Sequence, residues 1–134
     1  MKLTKRLIQK MVNIAKEASE KAYSPYSGYK VGASLLTKNG KIFTGCNIEN
    51  ASFGATICAE RVAIFKAISE GEKDFEIIAV YVNDKKNIPS PCGICRQVMM
   101  EFSPDLKLIL SNGDEYKIYK LEELLPYPFS KNFL

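Results

Sequence analysis

Histidine is missing from all 134 positions of the chain. Its absence excludes Ser-His-Asp and Cys-His nucleophilic machinery, His-based zinc peptidase sites and phosphohistidine chemistry. A proton carrier here must be Glu, Asp, Lys, Tyr, Cys or a metal-bound water. Also missing is any apolar run long enough to cross a bilayer. The opening stretch MKLTKRLIQKMVNIAKEASEKAY is broken by charge every few residues and lacks the apolar region of a signal peptide, so a cytoplasmic location is expected. There is no internal repeat, low-complexity tract or linker, and a single domain over residues 1–134 is expected. The lysines behind the net charge of +4 are scattered, without the basic run or stripe of a nucleic-acid surface.

What is present suits a globular domain with a real core. Amphipathic spacing at Ile8, Met11, Val12, Ala15, Ala18 and Ala22 predicts a helix from Thr4 to about Tyr23. Pro25 and Gly28 break it. Two β-prone runs, KVGASLLT and KIFTGCNI, follow, and Asn39-Gly40 between them predicts a hairpin. CAERVAIFKAISEG reads as a second helix stopped at Gly71. FEIIAVYVN is largely apolar, as for a central strand covered on both faces. A polar loop, DKKNIPSP, leads into a third helix from about Cys92 to Phe102. LKLIL and YKIYK predict a last pair of strands, LEELL one helical turn, and the tail PYPFSKNFL no regular element. This order predicts an α/β fold, a three-layer α-β-α sandwich around one mixed sheet of about five strands.

Four cysteines in a reducing compartment suggest metal ligands, reactive thiols or core residues before disulfides. Cys92 and Cys95 form a C-x-x-C whose first member opens the third helix, and Cys58 opens the second. Helix N-termini present free N–H groups and the positive end of the dipole, which favours thiolates. Three gathered thiolates suit Zn²⁺, with the fourth position closed by protein or open to water. On the C-x-x-C alone, a thioredoxin-like redox site stands beside the metal reading.

Glu60 favours metal-assisted hydrolysis. It lies in the first turn of the second helix, two residues after Cys58, where it can take a proton from metal-bound water whose pKa zinc brings to about 7. A lone helical Glu is otherwise an ordinary solvated residue complementing the dipole. The rival is a closed structural zinc with Cys46 as fourth ligand, although such sites normally carry two C-x-x-C knuckles. Cys46 as core is the plainer assignment. Three thiolates around Zn²⁺ leave the site net negative. Arg61 and Arg96, each directly after a candidate site residue, are placed to donate to sulfur and offset that charge.

C-A-E at 58–60 with P-C-x-x-C at 91–95 resembles the zinc nucleobase deaminase signature in its three-cysteine form. With PYSGYKVGASLLTKNGKIFTGCNIENASF, ICAERVAIFKAISEG, SPCGICRQVMMEF and EELLP, the likeness covers almost the whole chain and points to the small homotetrameric cytidine deaminases. The resemblance implies that Cys58, Cys92 and Cys95 hold one zinc and that Glu60 carries protons from water to ring N3 and to departing ammonia. It implies that the Ala59 N–H holds ring O2, that the Ser90 carbonyl faces the amino group, and that Asn47 and Glu49 bind the ribose 3′-hydroxyl. Hydroxyl handles suit a free nucleoside, and no Gly-rich phosphate loop is present. Ala51, Phe53 and Phe129 would reach a neighbouring subunit's site, so a homotetramer with shared pockets is implied.

Two positions depart from the family pattern. Tyr29 stands where a stacking Phe is usual, and its hydroxyl needs a partner. Phe53 stands where Tyr is frequent, which removes one contact near the sugar's 5′ end. A blasticidin-type aminopyrimidine deaminase shares the zinc core, whereas NIEN argues for a nucleoside. A polynucleotide-editing enzyme would need a groove of clustered basic and aromatic residues, which is absent.

Overall fold

The computed structural model describes residues 2–134. Five strands form one sheet: β1 (Val31–Thr37), β2 (Ile42–Cys46), β3 (Phe75–Val82), β4 (Lys107–Ser111) and β5 (Tyr116–Lys120), in the order β2-β1-β3-β4-β5. Pairing is antiparallel except between β3 and β4, which run parallel. The sheet is therefore mixed, as the element order predicts. β3 lies at its centre and is apolar apart from the half-buried Glu76 near its start, because both of its faces are covered.

Helix α1 (Lys5–Ser19) covers one face. Ile8, Met11, Val12 and Ala15 pack there against Leu36, Ile77, Ala79, Tyr81 and Ile109. Helices α2 (Ala59–Ser69) and α3 (Gly93–Phe102) cover the other, where Ala63, Ile64, Ala67 and Met99 meet Leu35, Ile78, Val80, Leu108 and Leu110. A short α4 (Leu121–Leu124) seals the β5 end of that core with Leu121. The result is the expected three-layer sandwich. Among the described residues no helix is long and apolar enough to cross a membrane.

Two expectations need correction. The first helix stops at Ser19, short of Tyr23, because the chain turns away to pair Tyr23 with Ile48 through Tyr23 N–H to Asn47 O (3.0 Å) and Glu49 N–H to Tyr23 O (2.8 Å). Tertiary pairing here overrides a continuing helical pattern. The expected hairpin at Asn39-Gly40 is present, joining β1 to β2. Gly40 N–H donates to Thr37 O (3.1 Å), and Gly40 takes a φ of 90° as the left-handed residue after the turn. The tail expected to be irregular contains one 3₁₀ turn, Lys131–Phe133.

Two glycines inside strands set how closely helices approach the sheet. A Cβ on Gly32 would lie 1.8 Å from Ala15 O of α1, and one on Gly45 would lie 2.3 Å from Ala59 O of α2. Gly45 therefore lets the first turn of α2 rest directly on β2. That contact sets the depth at which the residues after Cys58 sit.

Candidate active site

Both helices begin on a candidate cysteine. Cys58 is the N-cap of α2 and Cys92 the N-cap of α3, with Cys95 in the first turn of α3. The Cys92 Sγ accepts from Cys95 N–H at 3.4 Å. The thiols of Cys58, Cys92 and Cys95 all lie within 4.8 Å of one another, and the Cys58 and Cys92 sulfurs are 3.7 Å apart. Zn–S bonds of about 2.3 Å in a tetrahedron require sulfurs roughly 3.8 Å apart, so this spacing fits zinc. Cys46 is outside the cluster. It is half-buried and lines a separate groove with Thr44, Val62 and Lys66. This overturns the closed four-cysteine alternative, because the one remaining thiol cannot reach the other three.

Between Cys58 and Cys95, the thiolate is favoured on Cys58. A hydrogen bond from Cys95, reinforced by Arg61, holds the Cys58 thiol down to about 5 against the opposing effect of burial. Cys95 is pushed up, first by that same bond to Cys58 and then by burial. Arg61 Nη2 donates to Cys58 Sγ at 3.5 Å, which is the sulfur contact expected of it. Its Nε is buried with no partner among the described residues. Arg96 behaves differently from expectation. Its donors go to three oxygens, those of Pro91, Leu124 and Ser90, and none goes to sulfur. The fork points away from the thiols because the carbonyl at the end of α4 lies on its other side.

Glu60 is 4% exposed, and burial raises its carboxyl to about 7, helped by the charge on Cys58 and opposed by its own backbone N–H and Arg61. With Cys58, Cys92 and Ala59 it borders a cavity of about 210 Å³ completed by Tyr29, Val31, Asn47, Thr56, Val80, Val82, Pro89 and Ser90. This is below the roughly 300–1,000 Å³ of drug-sized sites, and matches a single small ring system. The cavity lies at the carboxyl end of β3, where Val80 and Val82 meet Val31 at the start of the antiparallel neighbour β1. Ala59 is the first residue of α2, so its N–H has no partner within the helix and is available to a ligand. Val80, Val82, Thr56 and Pro89 escaped the sequence analysis; only their place at the end of a central strand and in a proline-rich loop hinted at them.

The expected sugar contacts divide. Asn47 is buried and lines the cavity, and its side chain already bridges the start of β1, accepting from Val31 N–H (2.9 Å) and donating to Tyr29 O (2.7 Å). One donor and one acceptor capacity remain on that amide. Glu49 lies off the cavity wall. It accepts from Tyr26 N–H (3.0 Å), Ser27 N–H (3.1 Å) and the Ser27 hydroxyl, which hold its carboxyl below the usual range, the hydroxyl foremost. Tyr29 finds its partner in Asp84: burial first, then that carboxylate, raise the phenol's pKa. Ala51, Phe53 and Phe129 are exposed and are not among the residues lining the cavity, with Phe53 76% and Phe129 60% exposed.

With this geometry in view, similarity to known proteins is consistent along the whole chain. Residues 5–110 match the family model for the cytidine and deoxycytidylate deaminase zinc-binding region. The chain is 51% identical over 125 residues to a cytidine deaminase of Halalkalibacterium halodurans, covering 91% of this chain and 93% of that one. It is 33% identical to a blasticidin-S deaminase of Bacillus cereus, covering 96% and 99%. The crystal structure of cytidine deaminase from Burkholderia pseudomallei superposes with a TM-score of 0.88 at 44% identity, covering 95% of this chain and all of the other. The matched region contains all three clustered thiols and the buried glutamate between them, and the chain belongs to the cytidine and deoxycytidylate deaminase zinc-binding family.

Proposed function

We propose that this chain is a zinc-dependent cytidine deaminase that converts cytidine and 2′-deoxycytidine to uridine and 2′-deoxyuridine with release of ammonia. The observation that carries the reading is the position of Glu60. Its carboxyl borders the same small cavity as Cys58 and Cys92, and its pKa of about 7 lets it both take and give a proton near neutrality. Bound zinc supplies a Lewis acid that makes water acidic and nucleophilic near pH 7.

The chain's own residues do the rest. Glu60 takes the proton from the attacking water and delivers it to ring N3 as oxygen adds at C4. It then carries the proton of the new C4 hydroxyl to the amino nitrogen, the C4–N bond breaks as the C4 carbonyl forms, and ammonia leaves, so that one water is consumed for each nucleoside. The Ala59 N–H, at the positive end of α2, donates to ring O2. The Ser90 carbonyl accepts from the amino group, and the Tyr29 ring provides a stacking face. The Asn47 amide uses its remaining capacity for a sugar hydroxyl, and Glu49 joins it once the sugar displaces its contacts to Ser27. Arg61 offsets the negative charge of the thiolates. In a homotetramer Ala51, Phe53 and Phe129 complete a neighbour's pocket, and the enzyme works in the cytoplasm in pyrimidine salvage.

Ultraviolet absorbance of the zinc-loaded protein with cytidine tests this. Conversion to uridine by the parent and none by zinc-loaded Glu60→Ala is the expected result. No conversion by a fully loaded parent would remove cytidine as substrate and make blasticidin S the next compound to assay.

A further inference from the structure

The connection from β3 to α3 carries two residues of the cavity wall, Pro89 and Ser90. Among the described residues, none from 84 to 91 makes a hydrogen bond between backbone groups. In the early part of the loop Asp84 Oδ1 accepts from the N–H groups of Lys86 (2.9 Å) and Asn87 (3.3 Å), and the Asp84 carboxylate also accepts from the Tyr29 hydroxyl. In the later part Ile88 packs against the core and Pro91 is buried, and the side-chain hydrogen bonds to Ser90 and Pro91 come from one residue. From the first turns of α3, Arg96 donates through Nε to Pro91 O (2.8 Å), through Nη2 to Ser90 Oγ (2.7 Å) and through Nη1 to Leu124 O (2.7 Å).

A guanidinium is planar and its donors point in fixed directions, so three acceptors bound at once constrain one another. Leu124 is the last residue of α4, where carbonyls have no partner within the helix, and it packs with Leu125 against the core. The next residue, Gln97, donates to Phe129 O at 2.8 Å. Two consecutive side chains of α3 thus hold the C-terminal segment, and one of them also holds the lip of the cavity.

We infer that Arg96 is a positioning residue for the deamination, locking the Ser90–Pro91 lip against the end of α4 so that the Ser90 carbonyl meets the substrate's amino group in one orientation. The inference rests on the cytidine deaminase reading above. It separates the two arginines that follow site residues: Arg61 addresses sulfur, and Arg96 addresses the shape of the pocket. It also makes the charge of Arg96 insufficient, since a lysine keeps the charge but has no fork.

The test is steady-state kinetics on zinc-loaded parent, Arg96→Lys, Ser90→Ala and the double variant, with zinc content, melting and hydrogen exchange of peptides 84–92 and 121–127. Ser90→Ala removes only the Nη2 acceptor and leaves the backbone carbonyl. Expected are a fall in kcat/KM of about 10- to 100-fold for Arg96→Lys, a smaller fall for Ser90→Ala, and no further loss in the double variant. Exchange should quicken in both peptides of Arg96→Lys and stay unchanged in α2, with zinc content retained. A kcat/KM within twofold of the parent, losses that simply add, or a loss tracking zinc content would each overturn the inference. If Arg96→Lys does not fold, an unchanged kcat/KM and unchanged exchange in Ser90→Ala do the same. A parent that leaves cytidine untouched defeats the deaminase reading separately, and the exchange data still decide whether Arg96 holds the lip.

Discussion

Helices α2 and α3 both start on a zinc-site cysteine, yet the two starts are built differently. The start of α2 is sunk into the protein: Ala59 and Glu60 are buried, and Gly45 allows backbone-to-backbone contact with β2. The start of α3 is at the surface, with Cys92, Gly93 and Ile94 exposed, and side-chain bonds from Arg96 organise the loop before it. Burial is what raises the pKa of a carboxylate, so the proposed proton carrier sits on the deep terminus. A substrate must enter and leave past some edge of the site, and the shallow terminus, with Cys92, Gly93 and Ile94 exposed, provides that edge.

The largest expected effect is at the deep terminus. Glu60→Gln should lower kcat by about 10⁴-fold with zinc and fold retained; retention of more than a hundredth of the activity would place the proton carrier elsewhere. The same variant probes the burial itself. Because the folded pKa of Glu60 is raised from 4.5 to about 7, the native state binds its proton more tightly, and stability falls as pH rises through that interval. Metal-free Glu60→Gln should lose that slope and melt higher than the metal-free parent at pH 8, measured by calorimetry.

Next in size is the contact that sinks α2. Gly45→Ala drives a methyl against Ala59 O and should destabilise by about 3 kcal/mol, lowering Tm by roughly 10 °C and displacing Glu60. Gly93→Ala, at the shallow start where nothing lies within 4 Å of a Cβ, should leave Tm within about 2 °C. Equal losses at both glycines would erase the distinction between the two termini.

A smaller effect concerns zinc retention. Cys58 must be a thiolate to bind metal, and its pKa of about 5 keeps it so at neutral pH; protonation on acidification removes the ligand. Arg61→Met takes away one cause of that depression and should shift half-release of zinc to higher pH, followed with a colorimetric chelator. The smallest effect is expected at Cys46, outside the cluster. Cys46→Ala should keep full zinc and nearly parental activity, and loss of zinc would restore the four-cysteine site.

Much of the site was legible because it is local. Cys58 and Glu60 share one first turn, Cys92 and Cys95 another, and the first residues of a helix have fixed directions whatever surrounds them. The zinc-hydrolase assignment needed only those two turns and the absence of histidine. Arg61 and Arg96 show where such reading stops. Each follows a site residue, and their positions along the chain predict the same task. A long side chain, however, is directed by the acceptors near it, and the carbonyl of Leu124 comes beside Arg96 only after α4 folds back. Asn47 and Glu49, which the resemblance assigns to the ribose 3′-hydroxyl, are likewise already engaged by backbone N–H groups of the 26–31 segment.

The sequence by itself determined the chemistry of this protein: three thiols, one carboxylate and two helix starts, each set by neighbours a few residues away. Tertiary structure alone decided what became of them. It brought together thiols 34 positions apart, excluded Cys46, buried Glu60 deeply enough to move its pKa, and turned Arg96 from the metal to the pocket wall. These outcomes depend on distances between elements that meet only across the packed sheet, and such distances have no signature in residue spacing.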